Sequence, residues 1–575
     1  MKLTERIQAS GASLTDLIHI VITADTSQNP AGSSYKIPMS EYVSLFGGSG
    51  SASEYWISGS TWNGTNYPIK ANNDSGLNAT GPYAVAEGYG TLASGGGSHA
   101  EGGGDDGKGF VTGGTASGEG SHAEGFNTTA SGDASHAEGY VTTASGDYSH
   151  AEGQGSIASG QAGSHAEGRY TTASNVASHA EGDSTIASGL QSHAEGAETL
   201  ASASFSHAQG NQTSATTQSS HAEGYQTLAA AYSSHAEGGL TTTLGNYSHS
   251  EGNTTTAIGQ TSHSEGYDTR AFGDYSHAEG YTTIATGYTS HAEGTATIAS
   301  GSHSHAEGSN TQATTDNSHA EGIYTQANGQ GSHAEGGGSV ANGVASHAEG
   351  DSTLANGAYS HAEGLLTQAL GERSHAEGSN TIASGNTGHA EGYYTTALGG
   401  WSHAEGTQTT ALGSHSHAQG FSTKALGDYS HAEGQNTTSN GGAASHAEGS
   451  YTVASGFYSH AEGDHTTANA NSSHSEGFYT TASGQQSHAG GYETIASGLT
   501  SFVHGSGSTA GGYSTVVLGN GITGLIANTT YVETLALMTI RDYANDAAAD
   551  ADTTLANGGL YTTSGATGRA VYRKP

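Results

Sequence analysis

A five-residue word, Ser-His-Ala-Glu-Gly, returns every fourteen residues through most of this chain. A fixed period of that length is the signature of a solenoid, in which each repeat is one coil that buries its inner face only by stacking on its neighbours. The His of the word falls at His122, His136 and His150, then at His165, His179 and His193, and continues to His460, His474 and His488. Three places break the spacing: a longer interval between His99 and His122, and one extra residue before each of His165 and His446. The coil is expected to bulge there.

Composition agrees with an all-β solenoid and excludes other classes. A compact multidomain globule of 575 residues fills its cores with Leu, Ile, Val and Phe, whereas this chain is 33% hydrophobic, carries 92 Gly and repeats Ala, Ser and Thr in phase. Strict phasing also separates it from low-complexity disorder. With no Cys there is no disulfide scaffold. A formal charge of -39 argues against nucleic acid as a partner, because phosphate binding needs clustered Lys and Arg. Neither a basic, apolar leader nor a run of 18 apolar residues is present, so no secretion signal or membrane insertion is expected of this sequence by itself.

Numbering one repeat from its Ser, with Ser121 to Ala134 as the example, puts Ser121, His122, Ala123, Glu124 and Gly125 in slots 1 to 5. Thr128, Ala130 and Gly132 then take slots 8, 10 and 12. Side chains alternate faces along a strand. Slots 1, 3, 8 and 10, filled by small residues, therefore face inward between two closely packed sheets, and slots 2 and 4 face outward. The slot-8 threonines are expected to be core hydroxyls that satisfy backbone groups. That reading disfavours a flat ice-binding Thr array, as does the variety of slot 9: Thr129, Ile157, Leu200, Arg270, Gln312 and Lys424. Glycines at slots 5 and 12 lie half a coil apart and are expected to turn the corners at positive φ. Tyr140, Tyr148, Tyr275, Tyr281 and Tyr429 sit beside those corners, where packing over Gly is expected and a carbohydrate contact is the alternative.

This pattern resembles the head of the trimeric autotransporter adhesins, the YadA-like left-handed parallel β-roll, whose repeat reads Ser-Val-Ala-Ile-Gly-x-x-Ser-x-Ala-x-Gly-x-x. The ends of the array strengthen the likeness: Ala84-Val85-Ala86-Glu87-Gly88 opens it with Val in the His slot, and Thr515-Val516-Val517-Leu518-Gly519 closes it with Val and Leu in the outward slots. The resemblance covers residues 83–519. It implies a homotrimer in which slots 2 and 4 meet around a three-fold axis. The axis residues would then include His122, Glu124, His136, Glu138, His277, Glu279, His291 and Glu293.

Three readings of the His and Glu ladders compete. In the structural one, His of one chain hydrogen-bonds Glu of another. Strand spacing of about 4.8 Å would otherwise set neighbouring carboxylates against each other by about 3–4 kcal/mol at an effective dielectric near 20. That pairing would raise each His pKa and lower each Glu pKa. In the metal reading, imidazoles gathered at an axis ligate a transition ion, and His303 with His305 and His415 with His417 each form a His-x-His pair expected on one strand face. The pairs resemble the metal-binding tips of some phage fibres; against this, slot 14 also takes Tyr148, Asn317 and Arg373. The catalytic reading is disfavoured because acid and base groups need one cleft with unlike environments, not many equivalent copies. No cofactor is expected, and no enzymatic activity.

The ends differ from the array. Residues 1–45, with a strand-like run from Leu14 and a strand-then-helix pattern from Ser33, look like the N-terminal attachment segment of tailed-phage fibres. Residues 46–82 read as a joint and cap. In residues 520–575, Thr530 to Ile540 suits a strand or helix, the stretch from Asp542 suits a helix, and Gly558-Gly-Leu-Tyr-Thr-Thr-Ser-Gly resembles a closing segment of phage structural proteins. The sequence therefore points to a trimeric tail fibre or spike of a virion, contacting other virion proteins through its N-terminal region and a glycan or protein receptor on the host. The alternatives are a bacterial surface adhesin of the trimeric autotransporter type and a head fibre or decoration protein.

Overall fold

The computed structural model describes residues 56–58, 69–71, 78–105, 111–534, 541–543, 560–563 and 571–573. It is an all-β parallel solenoid of about 32 coils. Each coil contributes one strand to each of two sheets, as His122–Phe126 and Thr129–Ala130 do. Every strand pairs in parallel with its equivalents one coil away, so that His122 lies on His136 and Thr129 on Thr143.

The core follows the alternation of the strand. Ser121, Ala123, Thr128 and Ala130 are buried, and the slot-12 glycine joins them. The interior is thus lined with small side chains, as the thin gap between the sheets requires. Most slot-1 serines tie their corner shut, as Ser135 Oγ does by donating to the carbonyl of Gly132 at 2.7 Å.

The corners work differently from the expectation. Gly125, in slot 5, has φ +116, and a Cβ there would lie 2.1 Å from the carbonyl oxygen of Gly139. Gly132, in slot 12, does not adopt positive φ; it is glycine because a Cβ would fall 2.0 Å from the carbonyl of Gly146. The other left-handed positions are slots 7 and 14, held by side-chain-bearing residues such as Asn127 (φ 54) and Tyr148 (φ 60). Amides at these slots reach back one coil, as Tyr148 N does to Asp133 O at 2.7 Å and Val141 N to Phe126 O at 2.8 Å, which offsets the steric cost of that backbone region. Where slot 12 carries a side chain, its amide turns to the next serine, as Ala203 N does to Ser206 Oγ at 3.3 Å.

The irregular intervals are absorbed outside the ladders. Between His99 and His122 an antiparallel pair, Gly104–Asp105 with Val111–Thr112, projects from the coil. The extra residues before His165 and His446 sit in corners, and both histidines keep register with the coil below.

The array pairing runs past Gly519, through Thr523–Gly524 and Thr530–Val532. At the opening, Ile69–Ala71 pairs in parallel with Val85–Ala86 and antiparallel with Trp56–Ser58. Asp542 lies in a strand, Arg541–Tyr543, and not in a helix; Leu560–Thr563 pairs with it and with Val571–Arg573. The expected strands and helix within residues 1–45 lie outside the described residues.

Candidate functional site: the histidine and glutamate columns

Slots 2 and 4 share the outer face of the larger sheet because the two residues flank an inward Ala on one strand. His122 and Glu124, His136 and Glu138, His277 and Glu279, and His291 and Glu293 are all half-buried there. In-register stacking of coils places each imidazole over the next. The rings of His122 and His136 are 4.7 Å apart and 2° from parallel, and those of His277 and His291 are 4.8 Å apart and 10° from parallel. The stack runs unbroken from His99 to His474; His488 turns edge-on to His474, at 67°, and its ring lies 4.7 Å from that of Phe502.

Within one chain the His and Glu columns stand beside each other without bonding. His136 Nε2 is 4.0 Å from Glu138 Oε2, His277 Nε2 3.8 Å from Glu279, and His291 Nε2 3.9 Å from Glu293, all beyond hydrogen-bond range. These Nε2 atoms are covered from solvent yet have no partner. His122 differs: its Nε2 lies 3.2 Å from Glu101 Oε1 of the preceding coil.

The electrostatics in a single chain run opposite to the expected raised His pKa. Burial of the rings, and then the neighbouring imidazoles, hold His136, His150, His179 and His291 below the ordinary histidine value, while the glutamates pull more weakly the other way. The same causes push His221 and His277 down to about 4. At neutral pH these lowered histidines are uncharged. The stacked aromatic contact replaces ion pairing as what the face gains from histidine.

The two His-x-His pairs do not lie on one strand. His303 and His415 occupy slot 14 at left-handed φ of 56 and 57, in the turn before the strands that begin at His305 and His417. His303 packs edge-on to Tyr288, and His415 is stacked between Trp401 and Tyr429 at 5.0 and 4.8 Å. Corner aromatics thus stack on one another, as Tyr267 and Tyr281 do at 5.1 Å, and Tyr148 is 70% exposed.

The slot-8 threonines correct a second expectation. Thr128, Thr142 and Thr283 are buried, but their hydroxyls have no hydrogen-bond partner. Where Ser replaces Ala in slot 3 the hydroxyl is bonded, as in Ser264 with Thr269 at 2.8 Å and Ser475 with Thr480 at 2.7 Å. A further ladder was not foreseen from the sequence: slot-13 carboxylates accept the slot-13 amide of the preceding coil, Asp147 Oδ1 from Asp133 N at 3.0 Å and Asp428 Oδ1 from Ser414 N at 2.9 Å. The recurring Gly-Asp and Gly-Asn pairs of slots 12 and 13 were its signal.

Six stretches of the array, residues 137–162, 278–304, 334–360, 362–387, 390–416 and 447–469, match the YadA head domain repeat. The matched stretches are similar to YadA head repeats. Such repeats are structural adhesin repeats, and the chain is a YadA-head-like repeat protein with an adhesin-like, fibrous structural build. The departure from a Val/Ile pattern in slots 2 and 4 is what sets this shaft apart. No curated protein gives a significant match to the chain. Among the described residues no helix is long and apolar enough to cross a membrane.

Proposed function

We propose that the chain forms the shaft of a homotrimeric virion fibre or spike that attaches to a host surface, with the outer face of the larger sheet turned toward the three-fold axis. The observation that carries this reading is the row of Nε2 atoms that are covered from solvent but unpartnered in one chain. Buried polar groups find partners, and a second copy presents Glu acceptors at the same 14-residue period. The YadA-type repeat supports the same axis, since slots 2 and 4 are the ones that meet there in the family it resembles. The virion setting is supported by the likeness of residues 1–45 to phage attachment segments and of the stretch from Gly558 to a phage closing segment. Other virion proteins would bind the N-terminal region, and a glycan or protein on the host would bind the fibre.

The YadA match itself favours a second reading, a bacterial surface adhesin. Detecting the chain in purified particles, with a native mass of three chains, is the expected result. A chain found only at a bacterial surface selects the adhesin, and a monomeric mass overturns the trimer. Imaging of labelled particles separates tail fibre from head fibre. Hydrolysis of a capsular polysaccharide by the purified chain would contradict the structural role.

A further inference from the structure

We propose that the histidine and glutamate columns form a row of divalent transition-metal sites, each built from two imidazoles of successive coils and the carboxylate between them. In His136, Glu138 and His150, and again in His193, Glu195 and His207, one ligand atom from each residue lies within 4.8 Å of the other two, and similar groups recur along the array. Two imidazole nitrogens and one carboxylate oxygen are a donor set that suits zinc, cobalt and nickel.

The distances favour an ion over a hydrogen bond. Nε2 and Oε2 of one coil are 3.6 Å apart in His460 and Glu462 and 4.0 Å apart in His136 and Glu138. That is too far for hydrogen bonding and is the span of two metal bonds of about 2.0–2.2 Å enclosing one ion. The buried, unpartnered Nε2 atoms of His136, His193 and His207 point the same way. Successive ring centres, 4.8 Å apart at His136 and His150 and at His193 and His207 in nearly parallel planes, stand well beyond the about 3.4 Å between two nitrogens on a tetrahedral zinc, so the rings must tilt out of the stack to share an ion. Binding therefore draws the rings together in pairs. Neighbouring triads share a histidine, so at saturation at most every second triad holds an ion. A cation in each filled triad also separates carboxylates that otherwise face one another along the axis.

All three donors come from one chain, so the sites can form without the proposed trimer, and an Nε2 that holds an ion is one that does not pair with a glutamate of another copy. They are also separate from His303 and His415, which stand in the turns.

The test uses the full chain, loaded with zinc chloride, dialysed, and assayed for bound zinc by mass spectrometry of the element. Several ions per chain are expected, and cobalt chloride should give visible bands of nitrogen and oxygen coordination. Two variants exploit residues the array already accommodates. His179→Phe, His193→Phe and His207→Phe together keep the stack, as Phe502 does on His488. Glu181→Gln and Glu195→Gln together copy Gln209 and Gln419 in slot 4. Both variants should lose zinc while keeping their circular dichroism. A wild-type chain that holds no zinc after dialysis overturns the proposal. So does a glutamine variant that retains the full zinc content, which keeps the test decisive if the phenylalanine variant fails to fold.

Discussion

Ser250 Oγ and Thr255 Oγ1 lie 2.7 Å apart inside a single coil, joining the two sheets across the core. Most coils have Ala in place of that serine, and in them the threonine hydroxyl is left alone: Thr283 faces Ala278 and Thr297 faces Ala292. Ala278→Ser is therefore expected to stabilise the shaft, by about 0.5–1.5 kcal/mol for one added buried hydrogen bond. Ser250→Ala should cost a similar amount. Denaturant midpoints of the two variants, moving in opposite directions, are the check.

Glycines of the two corners should respond unequally to substitution. Gly280→Ala combines φ +111 with a Cβ 2.1 Å from the carbonyl of Gly294, and a loss of about 3 kcal/mol or more is expected. Gly273→Ala meets the carbonyl of Gly287 at 2.0 Å but needs no left-handed backbone. Ala203, Ala231 and Ala470 already occupy its slot, each handing its amide to a serine three residues on. The slot-12 variant should melt well above the slot-5 variant. Equal losses would show that the serine relay contributes nothing.

Stability should fall on acidification in protein stripped of metal with a chelator. Folded His pKa values are lowered, to about 4 at His221 and His277, so below the unfolded value of 6.5 the unfolded chain binds protons that the stacked column refuses. The contribution is present above pH 6.5 and is lost progressively as pH falls toward 4. Melting curves from pH 8 to pH 4, with proton NMR of the imidazoles, measure it. A melting temperature that rises from pH 8 to pH 6 would instead identify cross-chain ion pairs with raised His pKa values.

Replacing His277, His291 and His305 together with Ala should weaken the proposed trimer, because their glutamates would remain covered without donors. Replacing those histidines with Val and their glutamates with Ile should be tolerated, since Val516 and Leu518 already fill the two slots. Native mass and melting report both. An Ala variant with unchanged trimer mass and melting places the column in solvent.

A coil rise of about 4.8 Å makes the shaft a straight rod of about 150 Å. Negative-stain images should show it, and a compact particle would contradict the stacked coils.

The coil length, the register of one repeat on the next and the inward set Ser121, Ala123, Thr128 and Ala130 were legible in the sequence. Each is a consequence of strand alternation within a single fourteen-residue word, and alternation is local. What the neighbouring coil supplies was not legible. Gly132 is glycine because of the carbonyl of Gly146 one coil away, not because of its own φ. Val141 and Tyr148 carry left-handed backbone because their amides reach the coil behind. His221 and His277 are held neutral because their rings are desolvated between identical rings of the neighbouring coils, which stand 4.6–4.9 Å apart along the column. The sequence by itself determined which residues are stacked, but the consequences of stacking depend on distances of a few ångströms between atoms fourteen residues apart, and those exist only once the coils are closed on one another.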